Sequence, residues 1–106
     1  MKVIDQIKKQ IDNNLILIYM KGTPKNPSCI FSEKAVKILS KCCNKFAYVN
    51  ILKKQFVKSE LFKYSNWITF PQIFINKEFI GGYDILKYLY KTGELQNVIK
   101  KIKKNI

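Results

Sequence analysis

The chain has 106 residues, 47% of them apolar or aromatic, enough for one modest core and so for a single expected domain over residues 1–106. Its 20 basic residues are all Lys against 7 acidic ones, a formal charge of +13 that favours anionic partners, although Lys scattered through every segment equally describes a bias of composition that speaks to solubility and not to fold. The absence of His excludes imidazole catalysis and His-ligated metals, leaving Cys, Lys, Tyr and carboxylates as reactive groups.

Val3, Ile4, Ile7 and Ile11 recur at helical spacing and Asn13-Asn14 closes the segment as a turn, which predicts a first helix. Leu15–Met20 is a short apolar run bounded by turn residues, the pattern of a strand buried on both faces. Pro24 and Pro27 then forbid regular structure as far as Ser28, and Ala35, Val36, Ile38 and Leu39 mark a helix from about Phe31 to Cys42. Cys29 therefore falls where loop becomes helix. Phe46–Ile51 reads as a second strand, and Phe56, Leu61, Phe62 and Tyr64 as a short helix ending before Ser65-Asn66. Gln72–Ile75 and Glu78–Ile80 predict a hairpin across Asn76-Lys77, because Asn accepts the positive φ of a tight turn; Gly81-Gly82 ends it. A last helix runs from about Asp84, breaks near Thr92-Gly93 and resumes at Glu94 through Leu95, Val98, Ile99 and Ile102, with a Lys-rich tail from about residue 100 to 106. The order predicts an α/β fold: two parallel strands joined by a crossover helix, then an antiparallel hairpin, with helices on both faces.

Three cysteines, an odd number, behind a start without an apolar signal segment predict free thiols in a reducing compartment, the cytoplasm, or the mitochondrion if a leader has been removed. No apolar run nears the roughly 18 residues that cross a bilayer, so a soluble protein is expected. At the start of a helix, unpaired amides and the macrodipole favour a thiolate, and Lys21 at the end of the first strand adds positive charge toward Cys29. A buried, inert cysteine fits the spacing equally well. Cys42 and Cys43 lie at the far end of the same helix, about 20 Å from Cys29 at 1.5 Å per residue, too far for a disulfide without unfolding, so both read as structural or incidental, with a regulatory disulfide as the alternative.

Four blocks in order, Lys21-Gly22-Thr23-Pro24, Pro27-Ser28-Cys29-Ile30-Phe31-Ser32, Tyr64-Ser65-Asn66-Trp67-Ile68-Thr69-Phe70-Pro71-Gln72 and Ile80-Gly81-Gly82-Tyr83-Asp84, resemble the motif set of monothiol glutaredoxins. The resemblance spans roughly Val3 to Leu95 and implies the thioredoxin fold, a four-stranded mixed sheet flanked by helices. It implies that Cys29 is the working thiol and that Ser32 stands where a dithiol motif has its second cysteine, so that a mixed disulfide with glutathione is resolved by a second glutathione or another partner. It further implies a glutathione site of Lys21, Lys58, Thr69, Phe70, Gly82, Tyr83 and Asp84, with Lys58 where many relatives carry Arg. Lys21 and Lys58 suit the glycyl carboxylate, Asp84 the γ-glutamyl ammonium, and the amides after Gly81-Gly82 the γ-glutamyl carboxylate. Lys58 offers a point charge without the fork of Arg. Pro71 resembles the family's cis-proline, which turns the Phe70 main chain toward the glutathione backbone. Taken singly, Gly81-Gly82 reads as a turn, Pro71 as a strand breaker, and Trp67 and Phe70 as core or lid.

The resemblance also implies a [2Fe–2S] cluster bridging two protomers, each giving Cys29 as a metal ligand beside one glutathione thiolate. The expected state is then a cluster-dependent homodimer, monomeric as apoprotein, that passes the cluster to iron–sulfur acceptor proteins. The alternative is an oxidoreductase that removes glutathione from glutathionylated proteins. The family's Cys-Gly-Phe-Ser reads Cys29-Ile30-Phe31-Ser32 here, and a β-branched side chain in place of Gly is expected to crowd the cluster, the second protomer or the bound glutathione. A nucleic-acid module is the remaining reading of the charge and of Lys100-Lys101-Ile102-Lys103-Lys104, but no aromatic residues interleave with those lysines as stacking platforms require.

Overall fold

The computed structural model describes residues 2–104; Met1, Asn105 and Ile106 lie outside the described residues. The elements are α1 (Val3–Asp12), β1 (Ile16–Met20), α2 (Ile30–Cys42), β2 (Ala47–Asn50), α3 (Gln55–Ser65), β3 (Gln72–Ile75), β4 (Glu78–Gly81), α4 (Tyr83–Thr92) and α5 (Glu94–Lys104). They build a four-stranded sheet in the order β2-β1-β3-β4, with β1 parallel to β2 and antiparallel to β3, and β3 antiparallel to β4. This is the mixed sheet expected from the order of elements.

Because side chains alternate along a strand, the central strands β1 and β3 each serve two cores. Ile16, Ile18 and Met20 of β1, with Ile73 and Ile75 of β3, face α2, α4 and α5 through Val36, Leu39, Leu86 and Ile99. Leu17, Tyr19 and Phe74 face the other way, onto Ile7 and Ile11 of α1 and Val57 and Leu61 of α3. β1 is buried along its whole length as a result. Burial pushes the Tyr19 hydroxyl well above its usual range, and that hydroxyl donates to Gln10 Oε1 at 2.7 Å, so the polar end of the ring is satisfied inside the core.

The hairpin turns through Asn76 and Lys77, both at positive φ (50° and 71°). Only Asn76 was legible as such; Lys77 adopts the same region because the two-residue turn that matches strand twist requires it at both positions. The Lys-rich stretch expected as a tail is, as far as Lys104, the last turns of α5, a helix docked through buried Leu95 and Ile99. Among the described residues no helix is long and apolar enough to cross a membrane.

Candidate functional site

The site forms where β1 releases the chain. Ser32, fully buried in the first turn of α2, accepts a hydrogen bond from the Lys21 amide at 3.2 Å, which binds the exit of the sheet to the start of the helix. Gly22 takes φ 91°, and a Cβ there would stand 2.5 Å from the Asn26 carbonyl oxygen and 2.6 Å from the Ser28 nitrogen. Only glycine fits both demands. The Ser28 amide donates to the Lys21 carbonyl at 2.9 Å, Thr23 and Asn26 exchange main-chain bonds at 3.2 and 3.0 Å, and Gly22 bridges Pro27. The loop closes on itself and returns Cys29 beside Lys21.

A second clip acts from β2. Asn50 Oδ1 accepts from the Gly22 amide at 3.0 Å and from the Leu52 amide at 3.1 Å, joining the loop that carries Lys21 to the connection that leads into α3, where Lys58 sits. A lone Asn at a strand end signals only a turn, and this role was not legible in the sequence.

Cys29 is the N-cap of α2 and its backbone is extended. Desolvation pushes its thiol up, but the Ser32 and Phe31 amides, the Lys21 ammonium and the Ser32 hydroxyl together outweigh it, so the thiol is held below its ordinary range. Cys42 and Cys43 behave oppositely. Burial pushes both up against the weaker pull of neighbouring lysines, and the Cys43 thiol donates to the Leu39 carbonyl at 3.2 Å. The whole of α2, 13 residues and about 20 Å at 1.5 Å per residue, separates Cys29 from Cys42. None of the three is in a disulfide.

Cys29 opens on a cleft of about 550 Å³ that is also lined by Lys21, Lys58, Thr69, Phe70, Gly82, Tyr83 and Asp84. Every residue that the motif resemblance assigns to the site is therefore gathered on one concavity, from the β1 exit, α3, the β3 entry and the start of α4. The cleft also takes in Phe31, Trp67, Ile68, Pro71 and Ile85; of these, Phe31 and Ile68 stood inside the motif blocks with no role assigned to them, and Ile85 carried no signal beyond apolarity. The Phe70–Pro71 peptide is cis. Buried Gln72 shapes the wall by donating to the main-chain oxygens of Trp67 at 2.8 Å and Thr69 at 3.3 Å. Gly82 forms the N-cap of α4, and a Cβ on it would sit 3.3 Å from Trp67 Nε1 and 3.4 Å from the Pro71 oxygen. Trp67 Nε1 is buried without a hydrogen-bond partner, an unspent donor in the wall of the cleft.

Two lysines and one aspartate line this concavity, so it suits a zwitterionic ligand with excess negative charge. Ile30 is not among its lining residues and is 59% exposed. Ile30 is thus placed on the solvent side of Cys29, where it bears on whatever approaches the thiol from solvent. Among the described residues no three His, Cys, Asp or Glu side chains cluster to hold a metal. Cys29 is a solitary soft donor, and a cluster held through it needs sulfurs from other molecules. A second cleft, about 510 Å³ between Leu15, Phe46, Ile99 and Ile102, lies at the opposite end of β1 and contains no thiol or carboxylate.

The Glutaredoxin family model matches residues 16–80. The chain is 56% identical over 104 residues to "Glutaredoxin 4" of Buchnera aphidicola subsp. Acyrthosiphon pisum, covering 98% of this chain and 96% of that protein. It is 52% identical over 97 residues to "Glutaredoxin 4" of Escherichia coli strain K12, covering 92% and 84%. Among solved structures, reduced apo GrxS14 from poplar superposes with a TM-score of 0.81 at 39% identity, covering 93% of this chain and 91% of that one.

Proposed function

The chain belongs to the glutaredoxin family, in its monothiol class with the thioredoxin fold, and on that premise we propose that Cys29 works with glutathione held in the 550 Å³ cleft to bind and pass on a [2Fe–2S] cluster. The observation that carries the reading is a partly exposed thiol, held below its ordinary range, lining a cleft that offers two ammonium groups and one carboxylate. Lys21 and Lys58 meet the glycyl carboxylate and Asp84 the γ-glutamyl ammonium. The amides at the start of α4, opened by Gly82 and Tyr83, receive the γ-glutamyl carboxylate, where helix amides favour negative charge. Thr69 and Phe70 offer main chain to the glutathione backbone along the rim.

In this reading the cluster is cargo. Two protomers each supply the Cys29 thiolate and each holds a glutathione that supplies another, which completes four sulfur ligands. The homodimer depends on the cluster, the apoprotein is monomeric, and iron–sulfur acceptor proteins receive the cargo. Anaerobic reconstitution with iron, sulfide and glutathione is expected to give visible absorption and dimerisation together, both lost in Cys29→Ser. Failure of wild type to show them while Ile30→Gly does so would mean that this chain does not carry clusters.

The lowered, half-exposed thiol also favours a second reading, reduction of glutathionylated proteins. The Cys29 thiolate attacks the glutathione sulfur and the client leaves as thiolate; a second glutathione thiolate then attacks the same sulfur, releasing glutathione disulfide and restoring Cys29. Turnover of a glutathionylated peptide separates the two, since rapid turnover is incompatible with a carrier alone. We also propose the cytoplasm as its compartment, where a reducing thiol pool keeps all three cysteines free.

A further inference from the structure

Apolar side chains surround Cys29 on the solvent side, where a soluble surface ordinarily scatters them singly. Ile30 is 59% exposed, Phe31 49%, Ile68 65% and Ile85 41%. Phe31, Ile68 and Ile85 line the mouth of the cleft, and Ile30 follows the reactive cysteine in the chain. Cations edge this patch. Lys34 Nζ stands 5.8 Å and Lys87 Nζ 6.0 Å from the centroid of the Tyr83 ring, on α2 and α4 respectively. The nearest acid on α2, Glu33, is engaged by Lys37 at 3.4 Å, and Asp84 is the acid of the cleft itself.

Resting on the reading of Cys29 as the reactive thiol, we propose that this face is a docking surface for proteins that present an apolar side chain ringed by carboxylates next to the sulfur to be engaged. Burial of Ile30, Ile68 and Ile85 supplies contact, and Lys34 and Lys87 supply steering and register. Charge complementarity selects the occupant. A second bare copy would bring the same lysines to the same edge, in a chain of formal charge +13, whereas an acidic partner is attracted from the first encounter. Lys34 and Lys87 thus become determinants of partner choice, separate from the groups that hold glutathione.

The test uses the full-length reduced protein and short peptides whose single cysteine carries thionitrobenzoate as a mixed disulfide. The Cys29 thiolate attacks the peptide sulfur, a Cys29–peptide disulfide forms, and thionitrobenzoate leaves with the electron pair as a coloured anion. Cys29→Ser gives the background from the other thiols, and neutral dithiodipyridine gives the basal reactivity. A peptide with Leu beside its cysteine and Glu on both flanks is expected to react about tenfold faster than its Lys-flanked counterpart at low salt, within the range of electrostatic steering, with the advantage mostly gone at about 0.5 M salt. Replacing that Leu by Ser slows the acidic peptide several-fold. Lys34→Gln with Lys87→Gln removes most of the preference and leaves the dithiodipyridine rate unchanged, whereas Lys100→Gln with Lys101→Gln, an equal change in net charge, preserves it. Equal rates for acidic and basic peptides, or equal losses in the two double variants, overturn the docking surface while rapid dithiodipyridine reaction leaves the thiol assignment standing. A slow dithiodipyridine reaction overturns the thiol assignment and the docking surface with it. Dimerisation of the apoprotein that blocks peptide reaction would assign the face to a second copy and overturn the proposal.

Discussion

Ser32→Ala probes the joint between scaffold and thiol. The Ser32 hydroxyl accepts the Lys21 amide at 3.2 Å from a fully buried position, and it is also one of the groups that hold the Cys29 thiol down. Without it the Lys21 N–H loses its acceptor. An orphaned buried donor costs about 1–3 kcal/mol, and because Lys21 is half-exposed, so that water partly replaces the lost oxygen, the lower end applies: about 1 kcal/mol, or about 5 °C in Tm for a domain of this size. The thiol moves upward, while the Ser32 and Phe31 amides and the Lys21 ammonium continue to pull it down. Urea denaturation reads the stability, and the pH dependence of iodoacetamide alkylation at Cys29 reads the thiol. Unchanged stability together with an unchanged alkylation profile would refute this description of the joint.

Gly22→Ala meets backbone atoms at 2.5 and 2.6 Å at a φ of 91°, so a loss of about 3 kcal/mol in urea is expected, strain and overlap together. Gly93→Ala, at φ 84° with nothing within 4 Å of the new carbon, carries only the conformational penalty, about 1 kcal/mol; equal losses at the two positions would remove the overlap argument. Asn50→Ala frees the Gly22 and Leu52 amides and loosens the tie between the Lys21 and Lys58 arms. Glutathione affinity is expected to fall several-fold by calorimetry while the Cys29 titration holds, because Asn50 is not among the groups that shift it.

The strand and helix order was legible because the patterns are strong: the short apolar run Leu15–Met20 between turn residues has the pattern of a two-sided strand, and Ala35, Val36, Ile38 and Leu39 that of an inward helix face. Boundaries moved by a residue or so, as at Ala47–Asn50 within the expected Phe46–Ile51, since strand ends are set by pairing and not by composition. The site residues were legible only as motifs whose resemblance carried their roles; spacing alone left Cys29 undecided between reactive and inert. Other features have no local signature. The Asn50 clip joins residues 28 apart in sequence, Gly22 looks like any loop glycine until Ser28 and Asn26 close on it, and exposed Ile68 and Ile85 are indistinguishable by type from core residues. Three-dimensional closure creates each of these.

The measurement that bears most directly on the whole account is the pH profile of alkylation at each cysteine, resolved by mass spectrometry in one sample. A thiol held low keeps its thiolate as pH falls, until the pH passes through the folded value; thiols pushed up acquire theirs only in alkali. Cys29 is therefore predicted to react at neutral pH well ahead of Cys42 and Cys43, with its profile displaced to lower pH than theirs. Three coincident profiles, or a Cys29 that reacts last, would contradict it.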